Sequence, residues 1–168
     1  MSIDIREIKL SDEDKINELM NKSIIYHKKL SKSIITNIRV RLFGTYTEKQ
    51  HFRYLKRLSI EDKFKLTNEY VGYVCTKNNI VVGFAIGKVI SDKEFHICDI
   101  FVENKFRKIH IGKSLMRLMY LEAEHKKCSY ISLNCFKYNK VGNKFYKKNN
   151  YKLAEVKGLV NCYVKIIK

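Results

Sequence analysis

The spacing of apolar residues changes its period along the chain and marks out the secondary structure. From residue 70 onward, runs rich in Val, Ile, Tyr and Phe alternate with polar turns; the runs are 70–76, 80–89 and 94–102, and the turns are 77–79 and 91–93. Short β-branched and aromatic runs with such boundaries are typical of strands joined by tight turns. The pattern predicts a three-stranded antiparallel meander.

A helical period follows the meander. Apolar residues recur at spacings of three and four between 111 and 119, and the cations at 125–127 suit the negative end of a helix. The next apolar run, 130–135, has the length of a buried strand. The unit from 94 to 135 is therefore strand, helix, strand, and a crossover of this kind makes its two strands parallel neighbours.

Both ends of the chain add further elements. Alternation at Ile3 and Ile5 predicts a first strand, and Ser11 resembles a helix start. Near the other end the pattern predicts a helix, two strands and the turn between them: 139–148, 151–156, 159–167 and Lys157-Gly158. With the meander and the crossover unit, these elements predict a mixed-sheet α/β domain.

Residues 21–69 carry a mixed pattern. One or two helices are compatible with it, because Phe52, Leu55 and Leu58 form a helical stripe and Gly44 interrupts the run. No repeat or linker composition divides the chain. A length of 168 residues suits one domain with a single core.

The chain is strongly basic. Its 34 Lys and Arg residues against 17 Asp and Glu give a net charge of +17, which raises polyanions such as nucleic acid as partners. The chain is also rich in Asn, Ile and Tyr and lacks Pro and Trp, a bias that A/T-rich codons produce by themselves. The charge therefore carries less weight, and nucleic acid remains an open but not a favoured partner.

No apolar stretch suggests a membrane or a secretory route. The longest one, 80–86, is too short to span a bilayer, and the first ten residues lack the apolar run of a secretory signal. We expect a soluble, cytoplasmic protein with no membrane partner.

The five cysteines are odd in number and include no Cys-x-x-Cys pair, which predicts reduced thiols rather than disulfides or a metal site.

Residues 100–114, IFVENKFRKIHIGKS, read as the end of a strand, a basic turn and the first turn of a helix. Backbone N–H groups at a helix N-terminus attract anions, and Gly112 leaves room for a phosphate. Ligands of open α/β sheets bind at the carboxyl edge of the strands, where this turn falls. The turn predicts a polyphosphate site, although its lysines and arginines also fit a solvated loop.

Two motifs resemble those of the GNAT superfamily of N-acyltransferases, which use acetyl-CoA. Residues 107–112 read RKIHIG where that family has [QR]-x-x-G-x-[GA]. Residues 139–151 read NKVGNKFYKKNNY where it has N-x-x-A-x-x-F-Y-x-x-x-G-F. Each motif is degenerate, but the two stand in the family's order and at its distance, which makes the pair specific.

Four positions depart from the family's motifs. His110 replaces the first glycine of the loop, Gly142 replaces an alanine, and Asn150-Tyr151 replaces Gly-Phe. Asn150 can adopt the left-handed conformation that a glycine would supply. His110 leaves the tightness of the loop open, while the remaining N–H groups can still face phosphates.

The resemblance covers residues 70–168 well and residues 1–69 only in the order of elements. It implies the GNAT fold, a mixed, mostly antiparallel twisted sheet of about seven strands flanked by about four helices, in a single domain over 1–168. Within that domain it implies an acceptor side at 1–69, an acetyl-CoA-binding core at 70–155 and a C-terminal hairpin at 151–168.

The resemblance also implies an acetyl-CoA-dependent N-acetyltransferase without a metal. The end of the fourth strand, Ile100, Phe101 and Val102, would bind pantetheine. The pyrophosphate would be held by residues of the basic turn and the start of the helix: Arg107, Lys108, His110, Ile111, Gly112, Lys113 and Ser114. Asn134 would contact the cofactor or only end a strand, and Asn139 would contact the cofactor or only cap a helix. Tyr146 would lie at the cofactor and donate a proton to the departing CoA thiolate.

The sequence leaves the identity of the base that takes the proton of the amine undecided. His96 shares a face of the predicted strand with Cys98, since side chains alternate, and the ordinary pKa of histidine, about 6.5, suits a base. Asp99 on the opposite face, Glu94, or water alone are the alternatives. Cys98 as an acyl-carrying nucleophile is disfavoured, because direct transfer to the amine needs none.

The sequence does not identify the acceptor amine. Residues 21–69, which would form the acceptor side, hold few acidic residues against many lysines and arginines. This favours a neutral or acidic acceptor, or an amine carried on RNA or a ribosomal protein.

A homodimer is compatible with the sequence. The alternative function is a non-catalytic module on the same fold that binds CoA or nucleic acid.

Overall fold

Seven strands and three helices make up the part of the chain that the structure, a computed structural model, describes: residues 3–35 and 70–168. In chain order they are β1 (Ile3–Glu7), α1 (Glu13–Ile35), β2 (Tyr70–Lys77), β3 (Ile80–Ser91), β4 (Glu94–Val102), α2 (Ile111–His125), β5 (Tyr130–Phe136), α3 (Lys140–Lys148), β6 (Lys152–Lys157) and β7 (Val160–Ile166). None of these helices has the length and apolarity to cross a membrane. The predicted stripe of Phe52, Leu55 and Leu58 lies outside the described residues.

The strands form one sheet in the order β1-β2-β3-β4-β5-β7-β6. β4 and β5 pair in parallel, and the other pairings among the described strands are antiparallel. α2 connects β4 to β5 and is the predicted crossover. The prediction of a mixed, mostly antiparallel sheet of about seven strands is confirmed.

Helices cover both faces of the sheet. α2 buries Leu115 and Met119 in a core that also contains Ile97 of β4. α1 buries Leu19 on the other face, in a core that contains Phe101 of the same strand. Burying an apolar side chain of this size contributes about 1.5–3 kcal/mol. β4 therefore lies in the middle of the molecule, with a packed helix on each side.

β4 contains a bulge at Cys98. Opposite it, β3 pairs Ile86 with Asp99 and Gly87 with Ile97, so Cys98 is an extra residue inserted between two consecutive pairs of the register. A bulge resets the alternation of side chains. His96 lies between residues that face α2 and therefore faces the α1 side, where Asp99 also lies. The expectation that His96 and Asp99 occupy opposite faces assumed regular alternation and is wrong.

β4 and β5 separate after a short stretch of pairing. Their parallel register runs from Glu94 with Tyr130 to Ile97 with Leu133, although β4 continues to Val102 and β5 to Phe136. β5 keeps its pairing with β7 over this stretch, so the divergence lies between β4 and β5. The two strands therefore open a gap at their carboxyl ends, and none of the described strands lies beside the edge of β4 that faces it.

Candidate active site

A cavity of about 500 Å³ opens where β4 and β5 separate. Its walls come from α1, the end of β4, the loop that leads into α2, and α3. Ten of the predicted cofactor residues line it: Ile100, Phe101, Val102, Arg107, Lys108, His110, Gly112, Lys113, Asn139 and Tyr146. A volume of this size is in the range of small-molecule and cofactor sites.

The loop before α2 forms part of the wall of this cavity. Lys108 and His110 both have a positive φ, 65° and 68°, and His110 is the residue that precedes the helix. The first hydrogen bond of the helix runs from the Ser114 amide to the His110 carbonyl, at 3.0 Å. Within the described part of the chain, no acceptor is found for the amides of 108–113. Free amides at a helix N-terminus form an anion-binding site.

His110 makes the tight turn of the loop without the glycine that the family has at this position. Its left-handed conformation, with ψ at −3°, is the one that glycine adopts most readily, which explains the family's glycine here. The chain follows the same turn with a histidine. Histidine is one of the non-glycine residues enriched at positive φ, and the backbone donors of the turn are still available.

Arg107 fastens the loop to β4 and α1. Its Nε donates a 2.8 Å hydrogen bond to the Val102 carbonyl. Its guanidinium carbon lies 5.3 Å from the ring centre of Tyr26 and 5.4 Å from that of Phe101, within the distance of cation–π attraction. The side chain therefore contacts the end of β4 and both aromatic rings while its positive charge borders the cavity.

The start of α3 forms the opposite wall. The side chain of Asn139 accepts a 3.0 Å hydrogen bond from the Gly142 amide, so Asn139 is the helix N-cap and lines the cavity as well. A Cβ on residue 142 would lie 2.6 Å from Asn139 Nδ2 and 3.1 Å from Cys135 Sγ. With Asn139 in this position, the alanine that the family has at 142 would not fit.

Tyr146 lies between the cavity and an aromatic core. Its ring packs against those of Phe145, Tyr151 and Tyr163, with centroids 5.5, 6.2 and 5.8 Å away. Burial is the main cause that raises the pKa of the Tyr146 hydroxyl, and nearby ionisable groups such as Cys135 act in the same direction. The hydroxyl is therefore protonated at neutral pH and can act as a donor.

Four of the predicted site residues do not line the cavity. Ile111 is buried in the core under α2. Ser114 is half-buried in the first turn of that helix, and Asn134 is exposed on β5 opposite Cys162 of β7. His96 lies on the part of β4 that is still paired with β5, where its Nδ1 is 2.7 Å from Ser132 Oγ.

α1 supplies cavity residues that the sequence did not indicate. Ser23, Tyr26 and His27 line the cavity, because the helix continues to Ile35, into the segment whose sequence pattern is mixed. Burial lowers the pKa of His27, and the charge of Arg107 lowers it further. No helical stripe of apolar residues marked this part of α1, since its cavity side is polar and aromatic.

His27 also brings α1 to the end of β5. The His27 ring makes edge contacts with the rings of Phe136 and Tyr138, at centroid distances of 5.6 and 6.1 Å. Phe136 and Tyr138 are themselves stacked, 5.0 Å apart. These contacts join α1, which lines the cavity through His27, to the end of β5.

The family model of the acetyltransferase (GNAT) family matches residues 35–151, and the chain belongs to that family. Among solved structures, it is similar to the PaiA N-acetyltransferase of Thermoplasma acidophilum in complex with coenzyme A, with a TM-score of 0.77 and 20% identity over 99% of each chain. It is also similar to a GNAT-family acetyltransferase of Staphylococcus aureus, with a TM-score of 0.74 and 16% identity over 99% of this chain and 100% of that one.

An acetyltransferase of Streptococcus agalactiae shows the same fold at a lower score. Its TM-score is 0.63, with 18% identity over 98% of both chains. A comparison with curated protein sequences finds no match. The solved structures therefore confirm the GNAT fold over the length of the chain, and the family match confirms the resemblance drawn from the two motifs.

Proposed function

We propose that this protein transfers an acetyl group from acetyl-CoA to a primary amine. The observation that supports this most is the row of backbone amides at 108–113, which have no acceptor among the described residues, in a segment of which Lys108, His110, Gly112 and Lys113 line the cavity together with Tyr146. A diphosphate at those amides and a thioester near Tyr146 would be two parts of one ligand. The Thermoplasma acidophilum neighbour is a complex with coenzyme A, which supports a ligand of this type.

The residues around the loop fit a CoA diphosphate. The Lys108 and Lys113 side chains add positive charge to the part of the cavity that the loop lines. A Cβ on Gly112 would lie 3.2 Å from the Phe145 ring, so the helix N-terminus already packs closely against α3 and a larger residue would press on the cavity. When bound there, acetyl-CoA supplies an acyl group activated as a thioester.

The gap between β4 and β5 would receive the pantetheine arm. Ile100, Phe101 and Val102 line the cavity at the point where none of the described strands pairs with this edge of β4, so its main chain can pair with the amides of pantetheine. The thioester would then lie toward the bulge at Cys98 and within the reach of Tyr146. A held thioester next to a positioned amine accounts for much of the rate of such reactions.

In the reaction, the amine nitrogen would attack the carbonyl carbon, and the bond from that carbon to sulfur would break. The Tyr146 hydroxyl would donate a hydrogen bond and then its proton to the departing thiolate. The attacking nitrogen loses a proton to a base on the acceptor side. His96 and Asp99, which the bulge places on the same face of β4, are the side chains that we propose for this role.

Thermal unfolding and a thiol-release assay test the proposal together. Acetyl-CoA at about 100 times its Kd should stabilise the protein by about 2.7 kcal/mol and raise Tm by roughly 5–10 °C. Thiol release should then be screened with polyamines, aminoglycosides, small amines and peptides with free amino termini. A Tm shift with CoA but no thiol release would indicate a non-catalytic CoA-binding module. A salt-dependent shift with short RNA alone would indicate a nucleic-acid module.

Tyr146→Phe isolates the proposed acid. We expect kcat to fall about 10²-fold or more, with the Kd of acetyl-CoA changed by less than about twofold, since the ring remains. Tyr151→Phe is the matched control, because it removes a hydroxyl from the same aromatic core but Tyr151 does not line the cavity. Unchanged kcat in Tyr146→Phe would remove this residue from the mechanism.

A further inference from the structure

A chain of hydrogen bonds crosses from β4 to β5 in the stretch where the two strands are still paired. The Tyr130 hydroxyl donates to Glu94 Oε2 at 2.8 Å, and the Ser132 hydroxyl donates to Glu94 Oε1 at 2.5 Å. Ser132 Oγ also lies 2.7 Å from His96 Nδ1. The parallel register places Glu94 beside Tyr130 and His96 beside Ser132, so the contacts follow from the strand pairing.

The direction of these hydrogen bonds fixes the proton on His96. An ionised carboxylate only accepts, and a serine hydroxyl has one proton to donate. Since Ser132 gives its proton to Glu94, its oxygen can only accept from His96, which must then carry the proton on Nδ1. The neutral imidazole is left with a lone pair on Nε2, the form that a general base requires.

The surroundings of His96 agree with a neutral imidazole. Burial lowers the pKa of His96, and the positive charge of Lys88 on β3 acts in the same direction. The negative charges of Glu94 and Asp99 on β4 oppose this change and would stabilise an imidazolium once it forms. The neighbouring β5 contributes hydroxyls rather than charges at this point, from Tyr130 and Ser132.

We propose that Glu94 and Ser132 are positioning residues that hold His96 in its Nδ1–H form, so that Nε2 takes the proton of the acceptor amine; this rests on the proposed function. As the nitrogen attacks the thioester, its proton moves to Nε2 and makes His96 an imidazolium. The Nδ1–H bond to Ser132, and through it the Glu94 carboxylate, stabilise that charge. The proton leaves to solvent after the acetylated product departs.

Glu94→Gln tests the direction of the chain with little change in shape. With the Tyr130 hydroxyl donating to the amide oxygen, the amide NH₂ faces Ser132 and donates to it. The Ser132 proton is then turned toward His96 Nδ1, which favours the Nε2–H tautomer and removes the basic lone pair. Nitrogen-15 chemical shifts of the histidine side chain report the tautomer directly, without any acceptor amine.

We expect wild-type His96 to show the Nδ1–H tautomer and Glu94→Gln to show Nε2–H. With whichever amine the thiol-release screen identifies, kcat/KM should fall about 10²-fold or more in Glu94→Gln, while the KM for acetyl-CoA stays within about twofold. Ser132→Ala should lose activity similarly and show mixed tautomers. Tyr130→Phe is the matched control, since it removes a donor to Glu94 but leaves the contacts among Glu94, Ser132 and His96 in place.

The outcomes separate this inference from the proposed function. An Nε2–H or fully charged His96 in the wild type, or a pH profile of kcat/KM that Glu94→Gln leaves unchanged, overturns the positioning role while acetyl transfer stands. Binding of acetyl-CoA without thiol release from any amine overturns the proposed function itself, and the catalytic role of His96 with it. Loss of folding in Glu94→Gln would be detected by its Tm, and Ser132→Ala then provides the comparison.

Discussion

The Tyr163 hydroxyl on β7 donates a 2.8 Å hydrogen bond to Asn143 Oδ1 on α3. The same oxygen accepts from Asn161 Nδ2 at 2.7 Å, and Asn143 Nδ2 donates to the carbonyls of Phe136 and Asn139 at 2.7 and 2.8 Å. The side-chain amide of Asn143 thus links β7 to the start of α3 and to the segment between β5 and α3, which contains Asn139. This residue was not a sequence candidate, because it occupies an unspecified position of the family motif.

Asn143→Ala should lower the free energy of unfolding by about 2–3 kcal/mol, because several hydrogen bonds are lost and partly buried partners are left unpaired. The corresponding fall in Tm is roughly 5–10 °C. Acetyl-CoA binding should weaken as well, since the residues from Phe136 to Asn139 lose their attachment. Urea denaturation and calorimetry measure the two effects. Lys144→Ala, an exposed neighbour on α3, is the control; an equal loss in both variants would contradict the role of Asn143.

Tyr151→Phe should stabilise the protein. The Tyr151 hydroxyl is buried and has no hydrogen-bond partner among the described residues, and a phenylalanine keeps the ring while removing the unpaired group. We expect a gain of about 1–2 kcal/mol in the free energy of unfolding. Tyr163→Phe is the opposite case in the same aromatic core, since its hydroxyl is paired with Asn143, and should cost about 1 kcal/mol. Equal changes in both variants would refute this account.

Most of the fold was predictable because its signals are local. The strands β2 to β5 are apolar runs with polar boundaries, and the predicted bounds of β4, 94–102, agree with the structure. The parallel pairing of β4 and β5 followed from the helix between them. The length of α1 was not predictable, since beyond Met20 its cavity side carries Ser23, Tyr26 and His27 rather than an apolar stripe.

The lining of the cavity could be anticipated only where a motif marks it. Arg107, Lys108, His110, Gly112 and Tyr146, which belong to the two motifs, line the cavity. The bulge at Cys98 leaves no local sign in the sequence, and without it His96 and Asp99 would lie on different faces. The contact of His96 with Ser132, 36 residues away, depends on strand register, which periodicity does not determine.

His110→Gly should raise the free energy of unfolding by about 0.5–1 kcal/mol, because glycine adopts a φ of 68° without steric cost. Acetyl-CoA affinity should change by less than about twofold, because the proposed phosphate donors are backbone amides. Asn150→Gly, at a φ of 65°, is the comparison and should gain less, since asparagine tolerates this conformation better. Calorimetry and titration with acetyl-CoA measure both quantities. A tenfold loss of affinity would instead show that the His110 side chain contacts the cofactor.

The junction of β1 and α1 depends on an ion pair with a defined pH dependence. Arg6 donates to both carboxylate oxygens of Asp12, at 2.7 and 2.8 Å, and the Lys9 amide donates to Asp12 at 2.8 Å. The hydrogen bonds from Arg6 are the main cause that lowers the pKa of Asp12, although burial opposes it. A carboxyl whose pKa is lower in the folded protein binds its proton first in the unfolded chain. Its contribution to stability is therefore complete above the ordinary Asp pKa and is lost as the pH falls below it.

Asp12→Asn should cost about 2 kcal/mol at pH 7, less than a fully buried pair would, because the Arg6 side chain is 30% exposed. Between pH 7 and about 5 the difference from wild type should stay constant, and below about pH 4 it should shrink as Asp12 takes up its proton. Urea denaturation at a series of pH values measures it. Asp14→Asn, an exposed carboxylate in the same turn, is the control and should cost about 0.3–0.5 kcal/mol. A difference for Asp12→Asn that grows toward low pH would have the wrong sign for this ion pair and would show that another group governs the junction.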